Sequence, residues 1–124
     1  MSEATPTSTP PIKLEEINLT CIPIDDPLKM IANGDIPPLL IPVVSTNSNA
    51  IILVETSNIA KNVVMDVQSE TTEYGEMQMK KLDSFSWYFN ADFYEESTFK
   101  IVVRVYNSVD EYTEKEFTVE YPFV

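Results

Sequence analysis

Apolar and polar residues alternate along much of the second half of the chain, and this alternation constrains the fold more than any other feature of the sequence. In TFKIVVRVY (98–106), Phe99, Ile101, Val103 and Val105 fall on one side of an extended chain. A period of two places successive side chains on opposite faces of a β-strand. The sequence therefore predicts sheet structure with one face buried.

Further short segments of this kind follow one another from residue 39 onward, separated by polar breaks. The predicted strands are LLIPVV (39–44), AIILVE (50–55), NVVMDV (62–67), EMQMKKL (76–82), SFSWYF (84–89), TFKIVVRVY (98–106) and YTEKEFTVEY (112–121). Seven short strands spaced by turn signals are typical of an antiparallel β-sandwich or barrel. In SFSWYF, Phe85, Trp87 and Phe89 share one face, and Trp87 is predicted to be a core residue.

The last two predicted strands form a hairpin if NSVDE (107–111) is their loop. Its register pairs Tyr106 with Tyr112, Arg104 with Glu114, Ile101 with Phe117, and Phe99 with Val119. Thr113 and Lys115 then fall on the inward side. We expect the loop end of this hairpin to be either uncovered or bulged.

The prolines divide the chain into two regions. Seven of the nine prolines lie in the first 38 residues. Proline has no N–H for a central ladder, so we expect regular sheet to begin only near Leu39. The predicted organisation is a Pro-rich N-terminal tail and arm (1–38) followed by a sandwich (39–124).

The N-terminal region is not uniform. Residues 1–11 are mostly Ser, Thr, Pro, Glu and Ala, which predicts a flexible tail. The segments 12–24 and 28–31 are too apolar for a solvated linker, so we expect this arm to dock. It either adds an edge strand to its own sandwich or pairs with the open sheet edge of a neighbouring subunit. INLTCIPI (17–24) is predicted to be one strand or extended arm, followed by a loop with room for one helical turn.

Composition excludes several classes of function. Twenty acidic residues against eight basic ones give a net charge of -12, which repels nucleic acid and anionic membranes. Without histidine, zinc and copper sites and Ser–His or Cys–His nucleophiles lack their usual groups. With only two glycines, neither phosphate-binding glycine motif is present. The sequence predicts no catalytic residue, no cofactor, no nucleic-acid partner and no membrane insertion.

Two groups of residues are candidate sites. The predicted loops 68–76 and 90–97 fall at one end of the sandwich and gather carboxylates that calcium would accept, although a solvated acidic rim is the simpler interpretation. The weak calcium candidates are Glu70, Glu73, Asp92, Glu95 and Glu96. The arm and the ADFYEE loop supply the candidate partner-binding residues Ile17, Leu19, Ile22, Leu28, Ile31, Phe93 and Tyr94. Phe93 and Tyr94 must either tuck under the sheet or face a partner, for which a glycan is one possibility.

The segments FSWYF, NADFYEES, TFKIVVRVY and EFTVEY together resemble the C-terminal half of a bacterial or phage immunoglobulin-like domain. The resemblance implies an all-β, immunoglobulin-like antiparallel sandwich of about seven strands, with an extended N-terminal arm. Cys21 has no second cysteine with which to form the intersheet disulfide of antibody domains, and Phe99 has no hydroxyl for their tyrosine corner. The resemblance is therefore to the broader group that includes surface proteins, fibronectin-type modules and virion accessory proteins.

The functional expectation is a non-enzymatic structural or display protein, a virion (phage) accessory or decoration protein attached partly through its N-terminal arm to other protein subunits. MSEATPTSTPP shows no secretory signal, which fits assembly in a reducing cytoplasm before incorporation into a virion, unless a leader was already removed. The alternative is a cell-surface adhesion or carbohydrate-binding module. A third class is a cytoplasmic chaperone-like or regulatory binder, which would use the same open sheet edge for a soluble client.

Overall fold

The computed structural model describes residues 16–24, 26–44, 49–93 and 95–121. Within these ranges the strands are β1 (Ile17–Pro23), β2 (Ala50–Thr56), β3 (Asn62–Gln68), β4 (Glu73–Gln78), β5 (Lys80–Asp83), β6 (Ser86–Ala91), β7 (Ser97–Tyr106) and β8 (Tyr112–Tyr121). They form two antiparallel sheets, with strand orders β1-β2-β6-β5 and β4-β3-β7-β8. The prediction of an all-β sandwich is confirmed.

The inner faces of the two sheets meet in one hydrophobic core. The alternating residues Phe99, Ile101, Val103 and Val105 of β7 are fully buried, as the period of two predicts. Trp87 lies in the same core, as predicted. The other buried members include Ile17, Ile52, Val54, Val63, Met65, Val67, Met79 and Phe93.

The predicted hairpin register is confirmed. The β7–β8 pairing runs without a shift from Ser97 opposite Tyr121 to Tyr106 opposite Tyr112. The loop end is therefore not bulged. Lys115 points inward and donates a hydrogen bond to the carbonyl oxygen of Ile17, which couples the last strand to the first.

The N-terminal region contributes a strand to its own sandwich. Ile17–Pro23 pairs antiparallel with Ala50–Thr56 at the edge of the first sheet. The expectation that regular sheet begins only near Leu39 is wrong, because an edge strand that ends on Pro23 tolerates a missing N–H on its outer side. The predicted flexible tail, residues 1–11, lies outside the described residues.

A helix follows β1. Asp26 caps α1 (Pro27–Asn33) by accepting the N–H of Lys29 at 3.3 Å, and proline occupies the first turn. Gly34 ends α1 with φ of 79°, a conformation that favours glycine.

A 3₁₀ helix (Pro38–Val43) stands where a strand was predicted for residues 39–44. Pro38 and Pro42 supply no N–H, so this apolar run cannot form a regular ladder. Residues 24 and 26–44, which we call the cap, lie on the outer face of the first sheet. Their own small core contains Ile24, Ile36, Leu40 and Ile51 of β2.

Two strand predictions need correction. Residues 76–82 are not one strand, because the chain changes sheets at the buried Met79 and divides into β4 and β5. SFSWYF is a strand only from Ser86 onward. Phe85 therefore lies in the β5–β6 turn and leaves the face that it was predicted to share with Trp87. Among the described residues, no helix has the length and apolar character needed to cross a membrane.

Candidate interaction surfaces

Three loops meet at one end of the sandwich, which we call the loop end: residues 57–61, 84–85 and 107–111. The N–H of Thr56, the last residue before the first loop, donates to the carbonyl of Phe85 in the second loop at 2.9 Å. The N–H of Lys61 donates to the carbonyl of Tyr106 at 2.8 Å, which joins the first and the third. Each loop is thus connected to a neighbour through the backbone.

Each of these loops presents a large apolar side chain to solvent. Ile59 is 54% exposed, Phe85 48% and Val109 85%, and Tyr112 at the start of β8 is 46% exposed. Among the described residues, the remaining exposed large apolar side chains are Leu28, Leu39 and Ile41, all in the cap. The exposed apolar surface is therefore divided between two regions, the loop end and the cap.

Local hydrogen bonds hold the loops that carry these side chains. In the β7–β8 loop, the N–H of Asn107 donates to the carbonyl of Glu111 at 3.0 Å. The side-chain amide of Asn107 donates to the Glu111 carboxylate at 2.6 Å, and Val109 lies between them in sequence. In the β5–β6 turn, the Asp83 carboxylate accepts the N–H of Phe85 at 2.9 Å. The turns are formed by polar groups, which leaves the apolar tips outside.

An open groove of about 580 Å³ adjoins the loop end on the outer face of the second sheet. Ser108 and Val109 of the loop end line it, together with Lys61 and Glu76. Asn62, Val64, Gln78 and Tyr106 complete the lining. It is large enough to receive a side chain from a partner.

The remaining outer face of the second sheet carries more acidic than basic side chains, and its most closely surrounded cation is Arg104. Arg104 lies within salt-bridge distance of Asp66 (3.7 Å), Glu76 (2.8 Å) and Glu114 (3.5 Å). A hydrogen bond with Tyr106, followed by the contact with Glu76, raises the pKa of Arg104. Charged side chains such as these are mostly found exposed to solvent, so this face is a solvated surface.

The structure brings the two predicted acidic loops together, with Glu95 at the centre of the contact. Its Oε1 accepts hydrogen bonds from Ser69 (2.6 Å) and Tyr74 (2.8 Å), and its Oε2 accepts one from Thr71 (2.7 Å). The Ser69 bond, then those from Thr71 and Tyr74, lower the pKa of Glu95 to about 2. The ionised Glu95 carboxylate links the two loops by accepting these hydrogen bonds, and it stays deprotonated at neutral pH.

The other calcium candidates do not converge with Glu95 into a cation site. The Glu70 carboxylate lies 3.4 Å from the N–H of Thr98, and Glu73, Asp92 and Glu96 are exposed. Over the described parts of the chain, no group of three or more potential ligands is arranged to hold a metal ion.

The predicted partner-binding residues divide into buried and exposed side chains. Ile17 and Phe93 lie in the main core, Leu19 packs against it, and Ile22 and Ile31 pack against the cap core. Leu28 is 77% exposed. Tyr94 lies outside the described residues. Of the side chains that the structure describes in this set, Leu28 is the one offered to a partner most openly.

Phe93 takes the first of its two predicted alternatives and tucks under the sheet. Its ring lies 4.4 Å from that of Phe99 and 5.4 Å from that of Tyr121, measured between centroids. The Asn49 side chain donates to the Phe93 carbonyl and accepts its N–H. A buried aromatic held in this way packs the core and is not available as a binding platform.

Sequence reasoning missed the loop-end residues. Ile59 lies in TSNIA and Val109 in NSVDE, two segments that were interpreted as polar breaks. Phe85 lies near the start of the predicted strand SFSWYF. A single large apolar residue within a turn sequence is the signal that could have found them, because a turn residue has little opportunity for burial. Comparisons with protein-family models, curated proteins and solved structures found no match to this chain.

Proposed function

We propose that this protein is a non-enzymatic structural protein, an immunoglobulin-like sandwich carried on a phage or virus particle as an accessory or decoration protein. Its partners are other protein subunits of the particle. It attaches to them through the cap of its N-terminal region.

The strand order supports the immunoglobulin-like part of the proposal. The sheets β1-β2-β6-β5 and β4-β3-β7-β8 follow the orders A-B-E-D and C′-C-F-G used by immunoglobulin sandwiches. This fold carries many functions, so the role itself must be argued from the surface.

The observation that carries the proposal is the position of the exposed apolar residues in the N-terminal region. β1 pairs with β2 of its own chain, and the cap core is packed within the same chain. Attachment therefore does not need β1 to pair with a neighbouring subunit. The outer side of the cap still exposes Leu28, Leu39 and Ile41. A cleft of about 420 Å³ around α1 is lined by Pro23, Asp26, Lys29, Met30, Asn33 and Asp35. Exposed apolar side chains concentrated in one region of a surface favour an interaction there.

The charge of the molecule fits this arrangement. A net charge of -12 and an acidic outer face on the second sheet make copies repel one another through that face. Apolar attachment at the cap then leaves the charged sheet facing solvent.

Density-gradient fractionation of the producing cells tests the proposal. An antibody against the protein should detect it with large particles. A variant with Leu28→Ser, Leu39→Ser and Ile41→Ser should leave that fraction, whereas the matched variant with Ile59→Ser, Phe85→Ser and Val109→Ser should remain in it. Wild-type protein found only in the low-mass soluble fraction would refute the proposal. Wild-type protein in the cell envelope would instead favour the alternative, a cell-surface adhesion or carbohydrate-binding module.

A further inference from the structure

We propose that the loop end is a second docking surface, and that it binds a protein partner presenting an apolar patch bordered by basic side chains. The surface consists of Ile59, Phe85 and Val109 in three adjacent loops and Tyr112 at the start of β8. It shares no residue with the cap, so the inference does not depend on the proposed attachment.

The apolar component follows from exposure. Four large apolar side chains, each between 46% and 85% exposed, stand at the loop end. Aromatic and aliphatic side chains grouped in this way form the energetic centre of protein interfaces. The ring of Tyr112 packs on that of Tyr106, with 5.0 Å between the centroids.

The surface is formed before a partner arrives. Hydrogen bonds from Asn107 to Glu111, from Phe85 to Asp83 and from Thr56 to Asn58 hold the three loops in their turns. Loops that are held in place lose less conformational entropy on binding than free ones, so the apolar contacts contribute more of their free energy to affinity.

Charge selects the kind of partner. The loops and their immediate flanks carry Asp83, Asp110 and Glu111 against a single cation, Lys61. The whole chain has a net charge of -12. A second copy or a nucleic acid would meet repulsion, whereas a partner with a basic rim gains electrostatic complementarity. The groove beside Val109 offers such a partner a depression for one side chain.

The test uses two synthetic peptides of equal length, one alternating Leu and Lys and one alternating Leu and Glu, with binding followed by fluorescence anisotropy. The full-length protein should bind the Leu/Lys peptide and not the Leu/Glu peptide. The triple variant Ile59→Ser, Phe85→Ser, Val109→Ser should bind the Leu/Lys peptide at least about tenfold more weakly, which corresponds to about 1.4 kcal/mol. The cap variant Leu28→Ser, Leu39→Ser, Ile41→Ser has the same number of apolar deletions and unchanged charge, and should bind as the wild type does.

Nuclear magnetic resonance of the isotope-labelled protein locates the contact. Shifts of amide signals should concentrate in residues 57–61, 84–85 and 107–112. Equal affinity of both triple variants would mean that charge alone attracts the peptide, which would overturn the inference. Absence of binding, or loop-end shifts that appear on concentrating the protein without peptide, would also overturn it, the latter by identifying a second copy as the occupant. None of these outcomes depends on where the protein fractionates in cells.

Discussion

The ammonium group of Lys115 on β8 donates a hydrogen bond to the carbonyl oxygen of Ile17 on β1, with 2.9 Å between Nζ and O. The two strands are edge strands of different sheets, so this bond bridges the open side of the sandwich. The same ammonium lies 5.1 Å from the centroid of the Phe117 ring. An inward lysine in a strand of alternating polarity is thereby explained as a bridge to the N-terminal region.

Replacement of Lys115 tests this bridge. Lys115→Met should lower the free energy of unfolding by about 1–2 kcal/mol, because the carbonyl of the buried residue Ile17 loses a charged donor. The matched variant Lys100→Met, which removes an exposed lysine 4.0 Å from Glu116, should change it by less than about 0.5 kcal/mol. Urea unfolding measures both, and equal effects would show that the bridge contributes nothing.

From the packing of the cap we expect substitutions of two adjacent leucines to change the free energy of unfolding by different amounts. Leu40 is 1% exposed and packs against Ile51, whereas Leu39 is 54% exposed. Leu40→Ala should cost about 2–4 kcal/mol through lost contacts and a cavity. Leu39→Ala should cost less than about 0.5 kcal/mol. If urea unfolding gave both variants the same loss, the cap would not be packed on the first sheet.

Acid should weaken the contact between the 68–72 and 92–96 loops. The pKa of Glu95 falls from 4.5 to about 2 on folding, so its contribution is fully present above pH 4.5 and is lost as the pH falls toward 2. Glu95→Gln should lower the melting temperature at pH 7, with the difference shrinking as the pH falls from 4.5 toward 2. The neighbouring Glu96→Gln is the control and should retain the pH dependence of the wild type. A constant difference between Glu95→Gln and wild type across this range would contradict the assignment.

The single thiol reports on the docking of β1. Burial raises the pKa of Cys21 to about 12, and its strand pairs with β2 opposite Ile52. At pH 8 the folded protein should react with a disulfide reagent on the order of a hundredfold more slowly than the urea-unfolded chain, because little thiolate is present and its greater nucleophilicity offsets only part of that loss. Rates within a few fold of each other would mean that β1 detaches readily.

Where side-chain periodicity reflects burial on one face, the sequence was sufficient to predict structure. The alternation in residues 98–106 and 112–121 fixed both strands and their register, since a slip of one residue would turn Phe99 and Ile101 outward. Trp87 was assigned to the core for the same reason.

The wrong strand predictions fall where the periodicity of apolar residues does not distinguish one structure from another. The run LLIPVV is apolar throughout, and such a run does not distinguish a buried strand from a short helix packed on a sheet. Its prolines favour the 3₁₀ helix that the structure contains. Residues 76–82 divide at Met79 because the chain crosses between sheets while continuing in one direction, which no local pattern indicates.

The candidate surfaces were harder to predict than the fold. Ile17 and Phe93 have the composition of interface residues, but the decision between core and interface depends on contacts with residues distant in sequence, Thr56 in one case and Phe99 in the other. Ile59 and Val109 are inconspicuous in sequence and become notable only when the topology places their loops at the same end.

Native-state hydrogen exchange of the full-length protein tests the central claim, that the N-terminal region is an integral strand and cap of its own sandwich. At a concentration where the protein is monomeric, protected β1 amides in residues 18–22 should exchange with opening free energies close to those of protected amides in β2 and β7. Exchange of the β1 amides at near-unprotected rates, with β7 still protected, would contradict the claim and return the N-terminal region to the status of a free arm.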